Sequence, residues 1–199
     1  MDNTSGVSKS HFQTKAYLSA YLAGLSALAY AYFFILAKHV AFSSLFLMLS
    51  GLFALPVMVA LFLKFRKTDE GIALLAVVLG FAGGVGTLVH AGYDLANTIN
   101  PPPIINATLP SQIDPRGLLA FGITGIAILK FSWLIKQDKK WPLNLGNLGY
   151  LSGVLLVLIY LARLIVLSPT NPLLLYPVLI EGFIINPLWY LWLGTNLKG

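Results

Sequence analysis

Six apolar runs divide the chain, at about 16–37, 42–63, 71–95, 117–135, 148–167 and 173–193. Each is close to the ~20 residues an α-helix needs to cross the hydrocarbon of a bilayer. In lipid, every backbone N–H and C=O must find its partner inside the protein, and a helix achieves this within a single run. The runs and their short connections occupy nearly all of the 199 residues, leaving no room for a second, water-soluble domain. The expected fold is therefore an all-α integral membrane protein, a bundle of six transmembrane helices forming one domain over 16–195. A polar tail (1–15), an outer loop (96–115) and a short second tail (196–199) complete it. Only 10% of residues are charged, against about 25% in a soluble domain, too few to cover a water-facing surface.

The basic residues orient the bundle. Lys9 and Lys15 precede the first run, Lys64, Arg66 and Lys67 join the second to the third, and Lys136, Lys139 and Lys140 join the fourth to the fifth. Lys198 follows the last. All of these fall on one side of a six-span chain, whereas the other side has Lys38 and Arg116. Positively charged loops stay in the cytoplasm, which predicts both termini inside and a multi-pass protein of the cell (plasma or inner) membrane. The net charge of +6 thus reports topology and does not point to nucleic acid. Tyr17, Trp133, Trp141, Trp189, Tyr190 and Trp192 lie near run ends, as interfacial anchors do. The first run is long, lacks a small-residue cleavage site after it, and is expected to remain in the membrane.

Motifs exclude more than they assign. Zero cysteines rule out disulfides, thiolate metal sites and cysteine nucleophiles. There is no Walker A sequence, GxGxxG, HExxH or GxSxG. The tripeptide Asn106-Ala107-Thr108 fits an N-glycosylation acceptor on the outer loop.

What remains is a short set of polar residues placed where lipid makes them costly. His90, Asp94 and Asn97 are spaced four and three apart, which puts them on one face of the third helix. Gly83, Gly86 and Thr87 continue that face inward, and a stripe of small residues marks where a neighbouring helix packs closely. The face should look into the bundle. Glu181 lies about eight residues, or roughly 12 Å, inside the sixth run, where an ionised carboxylate costs several kcal/mol unless paired or protonated. Arg163, about four residues inside the fifth run, is the expected partner of Glu181, with Asp94 the alternative. Pro177 and Pro187 flank Glu181, and each removes a backbone hydrogen bond. His39 ends the first run on the same side; it is either interfacial or a partner of His90.

The ligand-binding candidates are therefore His90, Asp94, Asn97, Arg163, Glu181 and His39, on the outer side. No cofactor is expected. The residue types would suit a haem between His39 and His90, or a divalent metal on His90, Asp94 and Glu181, but no diagnostic spacing supports either. Lys130, near the inner end of the fourth run, is expected to snorkel to the surface. The leading expectation is a membrane protein binding or transporting a small or lipid-soluble ligand. Two alternatives stand beside it. One is an accessory subunit of a larger membrane complex, or a homo-oligomer, in which polar residues only lock helices. The other is a membrane enzyme acting on a lipid-like substrate through His90 and Asp94. A preformed cavity lined by these residues favours binding or catalysis; direct pairing without a cavity favours the structural role.

Overall fold

A computed structural model describes residues 11–101, 115–166 and 171–198, with the backbone alone for His11, Gln13, Thr14, 115–119 and Arg163. Most of the outer loop, its Asn106 acceptor, and the turn before Asn171 lie outside the described residues. Those described form helices and no strand. α1 (His11–Ala31) continues as a π-helical turn, Tyr32–Leu36. α2 (Val40–Phe65), α3 (Glu70–Ile99), α4 (Pro115–Gln137) and α5 (Leu143–Ile165) follow. The sixth helix, Pro172–Lys198, consists of α6 (Pro172–Ile180), a π-helical segment (Glu181–Ile185) and α7 (Asn186–Lys198).

Over the described residues, five of these six helices are long and apolar enough to cross a membrane; the described part of α4 is not among them. Helix ends lie beyond the apolar runs because polar residues also take helical turns. α3 continues through Asn97 to Ile99, and α5 starts at Leu143, directly after Pro142. Asp69 begins α3 by accepting the Ile72 N–H at 2.9 Å, and Asn171 begins α6 by accepting the Leu173 N–H at 3.0 Å. These side chains satisfy donors that the first helical turn leaves free.

The helices form a closed ring. Each packs on its neighbour in sequence from α1 to α6, and α7 packs back on α1. The surface of this ring is inverted relative to a water-soluble protein. On α3 the buried residues are small: Ala73, Ala76, Gly80, Gly83, Gly84, Thr87 and Ala91. Its exposed face carries Leu74, Val78, Phe81, Val85, Val89 and Tyr93, spaced three or four apart. In water that stripe would be a large aggregation-prone patch, and it is the surface a membrane-crossing helix presents to lipid.

Small residues let the helices approach. A Cβ on Gly125 of α4 would meet the Gly153 carbonyl at 2.8 Å, and one on Gly153 of α5 would meet the Gly125 carbonyl at 2.7 Å. The two backbones thus touch at reciprocal glycines. Large side chains fill the half of the core near the basic loops, including Phe65, Phe131, Leu134, Leu145 and Trp189, none of which is exposed.

At this basic end the α2–α3 and α4–α5 connections meet. The Phe65 and Trp141 rings are 5.2 Å apart, and the Lys64 ammonium lies 5.9 Å from the Trp141 ring. Trp141, Trp189 and Tyr190 are 7%, 0% and 3% exposed. They correct the expectation of interfacial anchors: these rings are core, and Trp189 sits where Gly149 of α5 has no side chain, since a Cβ there would meet the Trp189 Nε1 at 2.6 Å.

Candidate functional site

The end of the bundle opposite the basic loops, here called the outer end, holds the candidate polar residues. On α3 the His90 Nε2 lies 3.6 Å from the Asp94 Oδ2, with the two side chains 14% and 23% exposed. This is the only ion pair among the described residues, and an i,i+4 pair of this kind contributes about 0.2–0.5 kcal/mol. The Thr98 hydroxyl donates to the Asp94 carbonyl at 2.8 Å, and one turn inward from His90 the Thr87 hydroxyl donates to the Gly83 carbonyl at 2.9 Å. A Cβ on Gly83 would collide with Thr124 of α4, so the small-residue face of α3 is indeed an inward face.

The sixth helix presents Glu181 through a defect in its own hydrogen bonding. Pro187 has no N–H to return to the turn before it. The helix widens there, and the Asn186 N–H reaches back five residues to the Glu181 carbonyl. The Glu181 N–H is in turn shared between the Pro177 and Val178 carbonyls. Glu181 thus opens a π-helical segment between two prolines, a feature frequent at functional positions. Its side chain is 3% exposed. The Ser152 hydroxyl of α5 donates to Oε1 at 2.6 Å, while the buried Oε2 has no hydrogen-bond partner among the described residues.

Between these elements lies a cavity of about 450 Å³. All six helices contribute to its wall, with Tyr30 from α1, Ser44 from α2, His90 from α3, Thr124 from α4, Ile159 from α5 and Glu181 from the sixth helix. Asn97 and Thr98 are exposed at its outer rim. The wall is mostly apolar, and its polar groups are carboxyls, hydroxyls, one imidazole and the amides of Asn97 and Asn186. No Lys or Arg among the described residues lines it.

Of the six residues singled out in sequence, His90, Asp94, Asn97 and Glu181 all line this one cavity. His39 does not. Lys38 takes a left-handed conformation (φ 50°), which turns the chain so that His39 becomes the N-cap of α2. Its Nδ1 accepts the Phe42 N–H at 3.4 Å, and its ring lies 4.5 Å from that of Phe42. A haem shared by His39 and His90 has no support in this arrangement. Nor do His90, Asp94 and Glu181 assemble a metal site: among the described residues no three His, Asp or Glu side chains converge closely enough. Asp94 faces His90 on its own helix, and Glu181 is drawn to Ser152 on α5. The Arg163 side chain, and with it the expected pairing to Glu181 or Asp94, lies outside the described residues.

Ser152, Ser44 and Tyr190 were not legible as site residues. Only the packing of helices brings Ser44 and Tyr190 to the cavity wall and Ser152 to Glu181. The one available signal was the flanking of Glu181 by two prolines. No protein-family model, curated protein or solved structure matches this chain.

Proposed function

We propose that this chain is a six-span protein of the cell membrane, with both termini in the cytoplasm, that binds a small lipid-soluble ligand in its outer cavity. The observation that carries this reading is the cavity itself. Residues chosen in sequence for being costly in lipid line a common space of about 450 Å³, and only His90 and Asp94 among them contact one another. Ligand pockets typically measure ~300–1,000 Å³, with apolar walls and a few placed polar groups, and this one fits that description. A purely structural lock would satisfy its polar atoms; here the Glu181 Oε2 is buried without a partner among the described residues. An unsatisfied buried oxygen costs about 1–3 kcal/mol, and a ligand donor would recover much of it. The wall offers acceptors from Glu181, Asp94 and several hydroxyls but no described cation, so the ligand chemistry it suits is an apolar body bearing a hydroxyl, amine or other donor.

The test is direct. Protein purified in mild detergent is extracted with organic solvent and analysed by mass spectrometry, wild type beside Ala27→Phe and Glu181→Gln. Ala27 lines the cavity, and a phenyl ring there would fill part of it. The expected result is a molecule enriched in the wild type, absent from Ala27→Phe and reduced in Glu181→Gln. Identical extracts from all three proteins, with no saturable binding of any extracted molecule, would overturn the reading.

A further inference from the structure

A second site lies on the opposite half of the bundle, on its outer wall, and does not depend on the cavity. Lys130 stands seven residues before the end of α4, about 10 Å along the helix axis. It lines a groove of about 220 Å³ together with Ile72 of α3, Leu129 and Trp133 of α4, and Tyr150 of α5. A second cation lies against one of the groove's lining residues, Tyr150. The Lys136 ammonium lies 5.2 Å from the centre of the Tyr150 ring. Its stem gets there by crossing Gly146, one turn before Tyr150: a Cβ at Gly146 would meet the Lys136 Cγ at 2.5 Å. Glycine at 146 therefore leaves the track on which the Lys136 side chain lies. Tyr150 thus links the two lysines: it lines the groove beside Lys130 and carries the Lys136 ammonium against its ring.

No carboxylate among the described residues forms an ion pair with either lysine. The acids nearest in sequence are engaged as caps, Asp69 on the Ile72 N–H and Asp138 on the Lys140 N–H, and Glu70 is exposed at the start of α3. Simple snorkelling to water accounts for a single lysine; it does not account for a second whose stem is laid across a glycine onto a ring of the same groove. Along the same face, Ile126 lies one turn from Lys130 and Val154 one turn from Tyr150, and both are exposed. The groove thus opens onto an apolar surface.

We propose that this groove binds an anionic phospholipid, its phosphate held by Lys130 and Lys136 and its acyl chains lying along Ile126 and Val154. Charged headgroups attract basic residues at the membrane surface, and phosphate is the acceptor that ammonium groups ordinarily bind. The apolar continuation selects a lipid over free phosphate.

Thermal stability of the detergent-solubilised protein is measured with added phosphatidylglycerol, phosphatidylcholine or inorganic phosphate. Four proteins are compared: wild type, Lys136→Gln, Lys130→Gln/Lys136→Gln and Lys139→Gln/Lys140→Gln. Phosphatidylglycerol alone should raise the melting temperature of the wild type and of Lys139→Gln/Lys140→Gln. Each groove lysine removed should weaken its half-saturation about fivefold. Should the double groove variant fail to fold, exposed Lys136 still gives the single-variant answer. Equal stabilisation by phosphatidylcholine or by inorganic phosphate, or equal loss in Lys139→Gln/Lys140→Gln, overturns the proposal.

Discussion

Glu181 has one oxygen bonded to Ser152 and one without a partner among the described residues, and the two ends of that carboxyl predict opposite behaviour. Glu181→Gln keeps an oxygen for the Ser152 hydroxyl and supplies a neutral side chain of the same size. Its melting temperature should stay at or slightly above that of the wild type, since it removes a potential charge from a site of low polarity. Glu181→Ala leaves the Ser152 hydroxyl without its acceptor and enlarges the cavity, and should cost about 2–4 kcal/mol. His90→Ala removes only an i,i+4 contact, a loss of about 0.5 kcal/mol or less. Thermal unfolding of the three variants checks this ranking, and a large loss in His90→Ala with none in Glu181→Ala would invert it. At this scale the sequence was informative about expense and silent about partners. Cost can be read from depth in an apolar run, which singled out Glu181, His90 and Asp94. Partnership depends on the rotation of neighbouring helices, which is why Ser152 was missed and why His39, placed by the turn at Lys38, was grouped with residues it does not join.

At the scale of elements, small residues determine the spacing of helices. Gly125 and Gly153 face each other so closely that an added methyl on either meets a carbonyl of the other, and a backbone cannot yield as a side chain can. Gly125→Ala and Gly153→Ala are each expected to destabilise by about 1–3 kcal/mol, and the double variant by less than the sum, since one separation of α4 from α5 accommodates both. Denaturation of the single and double variants measures this coupling. The helices themselves were legible because twenty apolar residues in lipid admit few other structures. Their widened turns were not. A π-helical segment adds a residue to a turn, so it rotates all that follows by about 100°. The one at Glu181–Ile185 sets how Glu181 faces relative to the buried rings of Trp189 and Tyr190. The prolines marked where the helix is perturbed, but not in which direction.

For the whole molecule, the arrangement of charge and the inverted surface both depend on lipid as the solvent. The absence of cysteine makes the topology straightforward to test. Single cysteines at Thr68 and Lys139, on the basic connections, should resist a membrane-impermeant maleimide in intact cells and react after permeabilisation. One at Asn100, just beyond α3, should react in both. Labelling of Lys139→Cys but not Thr68→Cys from outside would show that α4 does not cross and would reduce six spans to five. Such a result would leave the cavity's rim at Asn97 outside and bring the basic groove to that same side.

The ring of helices has a further consequence. The Lys198 ammonium lies 5.8 Å from the ring of Tyr17, and Gly194 packs on Tyr21, so the start of α1 and the end of α7 are adjacent. A closed ring has no structurally privileged first helix. Which segment is synthesised first is then a historical choice, and the chain can be re-cut. If a short linker joins the two ends and the chain is opened between Asp138 and Trp141, the new order begins with α5 and ends with α4. Because the cut falls on the same side as the old ends, every helix keeps its direction. Such a circularly permuted protein should assemble with the same melting temperature to within a few degrees, its architecture independent of the order in which its parts emerge from the ribosome.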